Sequence, residues 1–207
     1  PMAVERVYNG LDYDFWSLHQ VKTSEVQTLR KKLGLEGKFV YFSYGRPGAS
    51  KGFEQVIQAA PLIGREIPNA QLLLLFGSVE KYRKKYQQLQ RLAQSNPNII
   101  IVPSVPYDQL RTYVALADCV VVPSLSEGFG YSAVEACALG RPVLVSDAGA
   151  LPEVVSGKHR VFKKGDPVDL AKNLIALAQG KYISTPLKTF SWDACVQQYV
   201  KQYRQLL

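Results

Sequence analysis

The chain alternates between short apolar runs and longer segments whose apolar residues recur with helical spacing. The first run occupies 38–44 and is followed by a glycine-rich loop and a helix predicted over 53–65. Further runs occupy 71–76, 98–102, 119–122 and 142–146, with a weaker one at 160–162. Strands that alternate with helices are typical of βαβ units. The pattern therefore predicts an α/β protein with a Rossmann-like three-layer αβα arrangement around a parallel sheet.

Polar and turn residues predict where the remaining helices begin. A long polar helix is expected after Gly77, extending to about residue 94. Asp108 is predicted to cap a helix that reaches residue 117, Asp166 to start another, and Ser191 to cap the last one. One side of that last helix is aromatic and apolar, and we expect it to pack against protein rather than to bind a ligand (Trp192, Val196, Tyr199, Val200 and Tyr203).

Length and composition indicate one well-packed unit. The chain has 207 residues, of which 47% are hydrophobic, enough for a substantial core. It contains no run of roughly 18 or more apolar residues and no charged-then-apolar leader, so neither a transmembrane helix nor a secretory signal is predicted. The three cysteines are far apart and lie in apolar stretches, which favours buried free thiols in a reducing compartment. We therefore expect a cytoplasmic protein.

The charge balance is basic, with 25 Lys and Arg against 17 Asp and Glu and a net charge of +8. Such a balance suits nucleic acid, an anionic membrane surface or a phosphorylated substrate. Two of the basic runs lie on predicted amphipathic helices and no nucleic-acid motif accompanies them, so no nucleic-acid partner is expected. The two histidines, His19 and His159, and the scattered cysteines do not predict a protein-ligated metal.

The most informative segment runs from Ser124 to Val143. Glu127 precedes a Gly-x-Gly turn formed by Gly128 and Gly130, and Glu135 lies inside the helix that follows. Glycines allow backbone N–H groups to approach a ligand closely, and a helix N-terminus favours an anion. A buried carboxylate such as Glu135 needs partners, which a pair of sugar hydroxyls would supply. The layout suits a sugar, a phosphate and a second sugar in a row, as in a nucleotide sugar.

A second glycine-rich loop, Gly45–Gly52, follows the first predicted strand. It carries Arg46 and Lys51, two cations that could neutralise a diphosphate leaving group. Its glycine and lysine spacing does not match the Walker A pattern. In open parallel sheets, ligands bind outside the carboxyl ends of the strands, where both loops are predicted to lie.

Four segments in order resemble the donor site of retaining glycosyltransferases, most closely family 4 of the GT-B fold, also called glycosyltransferase group 1. They are the phosphate loop at 45–52, the strand at 117–124, the glutamate motif at 124–143 and the loop with its short helix at 147–155. The resemblance implies that the chain is a C-terminal, donor-binding domain, one half of a GT-B fold.

The resemblance also implies the roles of individual residues. The catalytic set is Glu127, Arg46 and Lys51. The donor-binding set is Glu135, Gly128, Phe129, Gly130, Tyr131, Ser132, Gly45, Pro106 and Tyr107. Pro106 and Tyr107 follow the third strand, where relatives hold the base, and Tyr131 stands where relatives more often have leucine. A nucleotide-diphosphate sugar is the expected substrate, and no metal or other cofactor is expected to be required.

The resemblance divides the chain into three parts. Residues 1–20 resemble the segment between the two GT-B domains, 21–190 form the nucleotide-sugar-binding domain, and 191–207 form a helix that would cross back to an N-terminal domain. That acceptor-binding domain is expected to be missing from this sequence, so the isolated chain should bind donor weakly and turn over little. A lipid-linked or saccharide acceptor at a membrane surface is the expected partner of the complete enzyme.

Two alternatives stay open. One is a non-catalytic nucleotide-binding module that has kept half of the fold. The other is a GT-B enzyme of different chemistry, such as a nucleotide-sugar epimerase or a phosphorylase. A phosphorylase would need a lysine positioned for pyridoxal phosphate, for which the sequence contains no motif.

Overall fold

A computed structural model of the protein describes residues 5–206, with the side chain of the last of these left out. Its centre is a seven-stranded sheet in the order β3-β2-β1-β4-β5-β6-β7. The strands are β1 Phe39–Gly45, β2 Ala70–Phe76, β3 Ile99–Val102, β4 Cys119–Val122, β5 Val143–Ser146, β6 Gly157–Phe162 and β7 Ile183–Thr185. All pairs are parallel except β6 with β7. The predicted α/β, Rossmann-like fold is confirmed.

The described part of the chain contains eight α-helices. They are α1 Thr23–Lys32, α2 Phe53–Glu66, α3 Arg83–Ala93, α4 Tyr107–Leu116, α5 Tyr131–Ala138, α6 Leu151–Val154, α7 Pro167–Ala178 and α8 Trp192–Leu206. As predicted, Asp166 caps α7 by accepting from two backbone N–H groups, and Ser191 Oγ accepts from the N–H of Ala194 at 3.1 Å at the start of α8.

The sheet has a hydrophobic core on each face. Successive residues of β1 point to opposite faces, so Phe42 and Tyr44 join the core under α4, α5 and α6, while Tyr41 joins the core under α2, α3 and α7. β2 is buried along its whole length, as expected for a parallel strand covered on both sides. The sheet and the helices on its two faces form the three-layer αβα arrangement that the sequence predicts.

The direction of the chain reverses beside β1. From β1 the chain proceeds outward through β2 and β3, and it then returns to place β4 on the other side of β1. In open α/β sheets the helices leave such a switch point in opposite directions, which opens a crevice at the carboxyl ends of the two strands. The fold therefore brings the loops after β1 and β4 together.

The segment before α1 packs along the segment before α8. The N–H of Leu11 donates to Phe190 O at 2.8 Å, and the hydroxyl of Tyr13 accepts from the N–H of Phe190 at 2.9 Å. Arg6 and Glu153 form an ion pair at 2.6 Å. Residues 1–4 of the predicted linker and Leu207 of the predicted crossing helix lie outside the described residues, and the domain boundaries stay predictions.

The structure differs from the sequence analysis at three places. The N-cap of α4 is Pro106 rather than Asp108, because the fixed φ of proline starts the helix two residues earlier; Asp108 lies in the first turn, where its charge still suits the helix dipole. The polar helix after β2 begins only at Arg83, after a 3₁₀ turn at Val79–Tyr82. Strand β7 was not predicted, because its three residues are exposed and lack an apolar pattern.

The aromatic side of α8 is exposed in this chain. Trp192, Val196, Tyr199 and Tyr203 all present large parts of their side chains to solvent, while Cys195 of the same helix is buried. The expected packing of this side is therefore not made by the described residues. All three cysteines are free and buried, as predicted. No helix in the described part of the chain is long and apolar enough to span a membrane.

Candidate functional site

Two loops meet at the carboxyl ends of β1 and β4. We call this place the switch-point site; it comprises residues 45–52, 123–132 and the side chain of Glu135. The carbonyl of Ser50 accepts hydrogen bonds from the N–H groups of Leu125 at 2.7 Å and Ser126 at 3.3 Å. Gly52 has a φ of 64°, and a Cβ atom there would lie 2.0 Å from the carbonyl oxygen of Pro123. Glycine is therefore required for the two loops to approach this closely.

The cation of one loop is paired with the acid of the other. Lys51 Nζ lies 2.6 Å from Glu127 Oε2, and the hydroxyl of Ser124 donates to the same carboxylate oxygen at 3.2 Å. Both charged side chains are mostly buried. The structure thus brings together two residues of the expected catalytic set that lie in different loops.

The loop after β5 holds the backbone of Glu127 in place. The carbonyl of Glu127 accepts from the N–H of Ala150 at 3.2 Å, and a Cβ atom at Gly149 would lie 2.1 Å from that carbonyl oxygen. Gly149 has a φ of 53°, in the left-handed region that favours glycine. The segment at 147–155 therefore contributes to the site by fixing the position of Glu127.

Glu135 projects from α5 into the same site and is only 7% exposed. Its Oε2 accepts a hydrogen bond from the hydroxyl of Tyr44 at 2.6 Å. Burial raises the pKa of Glu135 to about 7, an effect that the Tyr44 hydrogen bond and the charge of Lys51 partly offset. The predicted burial of Glu135 is confirmed, and its partner within the protein is a residue that the sequence analysis missed.

The start of α5 closes the site with backbone N–H groups. Gly130 is the N-cap of this helix, and Tyr131 and Ser132 are its first residues, whose N–H groups have no acceptor within the helix. Phe129 is buried against Phe190, with ring centroids 5.4 Å apart, and contacts Tyr131 edge to face at 5.0 Å. This packing fixes the turn, so that the helix N-terminus is a rigid group of donors for an anion.

Pro106 and Tyr107 lie at the start of α4, at the rim of the site. The Tyr107 ring stacks on Phe15 at 4.8 Å, and its hydroxyl accepts from Trp16 Nε1 at 3.1 Å. The residue is nevertheless 60% exposed. Desolvation raises the pKa of Tyr107, and the charge of Glu135 adds to the rise. The exposed part of this ring is available to a ligand.

The predicted residues occupy one region but differ in how tightly they are held. Lys51, Glu127 and Glu135 are fixed by hydrogen bonds within the protein. Arg46 and Gly128 are exposed, and Gly45 is the last residue of β1. Tyr44 is the residue that the sequence analysis did not assign, although a tyrosine at the end of an apolar strand was a visible signal. Within residues 5–206 no group of three or more His, Cys, Asp or Glu side chains could hold a metal ion.

The fold and the switch-point site indicate the class of protein to which the chain belongs. A Rossmann-like sheet with glycine-rich loops, cations and two carboxylates at its switch point is the architecture of one half of a GT-B glycosyltransferase. The sequence matches the model of the family described as glycosyl transferases group 1 over residues 25–186, so the chain belongs to that family. Its fold corresponds to the C-terminal domain of these enzymes.

A curated relative agrees with this family assignment. The chain is 28% identical to D-inositol 3-phosphate glycosyltransferase from Mycobacterium tuberculosis, in a match that covers all of this chain and 45% of the relative. The chain thus spans less than half the length of the curated relatives that it matches.

Solved structures extend the comparison. Sucrose-phosphate synthase from Thermosynechococcus elongatus superimposes with a TM-score of 0.74 and 26% identity, over 96% of this chain and 51% of that one. HepE from Anabaena, solved with UDP and glucose, gives a TM-score of 0.69 at 21% identity, over 96% and 56% of the two chains. A C-terminal domain of a glycosyl transferase group 1 protein from Francisella tularensis gives 0.66 at 21% identity, over 92% and 98%. At 21% identity, the similarity to the last two structures shows a shared fold and nothing more.

Proposed function

We propose that the switch-point site binds a nucleotide-diphosphate sugar as the donor of a glycosyl transfer. The observation that carries the proposal is the meeting of Lys51, Glu127, Glu135 and the N-terminus of α5 at one point. Cations and N–H groups suit a diphosphate, while carboxylates suit sugar hydroxyls. The presence of UDP in the solved HepE complexes makes UDP the first nucleotide to test.

Each residue then has a role in the proposal. Arg46 and Lys51 hold the diphosphate, and Glu135 accepts hydrogen bonds from the ribose. Glu127 contacts the transferred sugar, where its charge stabilises an oxocarbenium-like transition state. The base lies against Pro106 and Tyr107, and the remaining contacts come from the backbone of the first loop and the turn (Gly45, Gly128, Phe129, Gly130, Tyr131 and Ser132).

The proposed reaction retains the configuration of the sugar. The acceptor oxygen forms its bond to the anomeric carbon on the face from which the diphosphate leaves with the electron pair of the broken bond. The acceptor proton passes to a phosphate oxygen of the leaving group. The protein contributes positioning and electrostatics, and Arg46 and Lys51 take the place that a divalent cation has in other folds, so that no metal is required.

The complete enzyme of this proposal includes an acceptor-binding N-terminal domain and acts in the cytoplasm, at the membrane surface where its acceptor is lipid-linked. The exposed aromatic side of α8 and the aromatic residues of the segment before α1 would then contact that domain. The isolated chain would bind the donor nucleotide weakly and show little or no transfer, because the acceptor side of the site comes from the other domain.

The test is calorimetric titration of the chain with UDP, GDP and ADP. We expect one nucleotide to bind, and Glu135→Ala and Arg46→Ala each to weaken it about tenfold, the loss of one hydrogen bond to a charged group. Arg91→Ala is the matched control, because Arg91 is exposed on α3 away from the site. Equal binding by all four proteins, or no binding of any nucleotide, would overturn the proposal.

A further inference from the structure

The side chain of Tyr44 contacts the carboxylate of Glu135. Its hydroxyl donates to Glu135 Oε2 at 2.6 Å and lies 3.3 Å from the carbonyl oxygen of Ser132. A tyrosine hydroxyl has one proton to donate, and the shorter distance assigns it to the carboxylate. The two residues are 91 positions apart in the sequence and meet only because β1 and α5 are adjacent in the fold.

The hydroxyl of Tyr44 has little freedom to move. The residue is 8% exposed, and its ring stacks on Phe42, with centroids 5.0 Å apart and an angle of 16° between the planes. Tyr44 pairs with Leu75 of β2, and β1 also pairs with β4 at Tyr41 and Phe42, which fixes the backbone from which the ring projects. A rigid donor aimed at one carboxylate oxygen fixes the orientation of the whole carboxylate.

We infer that Tyr44 is a positioning residue of the donor site, which holds Oε2 of Glu135 so that Oε1 and the remaining lone pairs are presented to the ribose hydroxyls. A carboxylate offers about four acceptor sites, of which Tyr44 occupies one. The inference rests on the proposed function, since it assigns the ribose as the group that Glu135 receives. Tyr44 would therefore affect nucleotide binding through Glu135 rather than by touching the nucleotide itself.

The pair has a consequence for the dependence of binding on pH. Glu135 is faced by Tyr44 from β1, Lys51 from the first loop, Tyr107 from α4 and Tyr131 from its own helix. The hydrogen bond from Tyr44 stabilises the ionised form and so lowers the pKa of Glu135 from the value that burial alone would give. Removing the hydroxyl raises this pKa further above about 7, so that more of the protein carries a protonated Glu135 at neutral pH.

The experiment compares UDP with 2′-deoxy-UDP, in the wild-type chain and in Tyr44→Phe, between pH 5.5 and 9. Both ligands carry the same diphosphate, so the ratio of their affinities isolates the contact with the ribose hydroxyl. We expect the wild-type preference for UDP to reach about tenfold above the pKa of Glu135 and to fall towards unity below it. In Tyr44→Phe the midpoint of this change should move upward by about one pH unit, the effect of one lost hydrogen bond to a charged group.

Tyr41→Phe is the matched control. Tyr41 is on the same strand and equally buried, but it points to the opposite face of the sheet, so its variant should leave both the preference and the midpoint unchanged. A merely structural role for Tyr44 would weaken both ligands equally with no shift of the midpoint, and that result would overturn the inference.

A titration without ligand separates this inference from the proposed function. The ¹³C carboxyl signal of Glu135, assigned by comparison with Glu135→Gln, should titrate at higher pH in Tyr44→Phe than in the wild type. An unchanged titration would overturn the inference whether or not UDP binds. Absence of UDP binding with a shifted titration would overturn the proposed function and the ribose assignment with it, while confirming that Tyr44 controls Glu135.

Discussion

Lys51 and Glu127 neutralise each other across the switch-point site at 2.6 Å, so the lysine must change partner when a diphosphate arrives. We therefore predict that Glu127→Gln strengthens the binding of UDP, which carries no sugar for Glu127 to contact. A mostly buried ion pair that is worth about 1 kcal/mol corresponds to roughly fivefold in affinity. Lys51→Gln should have the opposite effect, because it removes the cation itself.

Calorimetry on the two variants measures this exchange. Glu25→Gln is the control for loss of one negative charge, since Glu25 pairs with Lys22 at the start of α1, outside the site. Weaker or unchanged UDP binding by Glu127→Gln would show that Lys51 does not transfer from the carboxylate to the diphosphate.

The sequence predicted which residues meet at the switch point better than it predicted their partners. Glycine spacing, loop cations and two carboxylates are local signals, and they indicated the residues that meet at the switch point. The pairing of Lys51 with Glu127 and of Tyr44 with Glu135 joins residues 76 and 91 positions apart. Such pairs depend on the order of strands in the sheet, which apolar periodicity does not encode.

At the scale of elements, the loop after β5 supports the loop that carries Glu127. Gly149→Ala would place a methyl group 2.1 Å from the Glu127 carbonyl and force a side chain into the left-handed region. We predict a loss of about 2 kcal/mol or more in the free energy of unfolding. Urea unfolding measures it.

Gly128→Ala is the comparison for this prediction. Apart from Gly128 itself and its two chain neighbours, no atom of the described residues lies within 4 Å of the position that its Cβ would take, and its φ is outside the left-handed region. This variant should unfold within about 0.5 kcal/mol of the wild type, as exposed substitutions usually do. Similar stability losses in both variants would contradict the assigned role of Gly149.

Elements with a strong apolar signal were predicted closely. β4 was predicted at 119–122 and is Cys119–Val122, and the helix predicted at 53–65 is Phe53–Glu66. These predictions were close because burial against the two faces of the sheet leaves little choice of residue in such elements. The start of α4 and the exposed strand β7 were missed. There, backbone geometry and pairing with a neighbouring strand determine the structure, and neither requires an apolar pattern.

For the molecule as a whole, the decisive feature is the position of β1 in the sheet. The alternation of strands and helices predicted the fold class, but the place where the strand order reverses became visible only in the structure. That reversal turns two loops far apart in the sequence into one site. The sequence pattern identified the apolar side of α8 but not its exposure, because an apolar helix side looks the same whether it packs within this chain or against a partner.

The most direct test of the central claim is to map bound UDP on the whole chain by ¹H–¹⁵N NMR. We predict that the largest shift changes fall on the amides of 45–52 and 128–132, the two loops at the switch point. The surface cavity of about 640 Å³ between α3 and β3 is the internal comparison, because it lies at the β3 edge of the sheet and is lined by no residue of the loops after β1 and β4. Changes centred on that cavity, or none at saturating UDP, would contradict a donor site at the switch point.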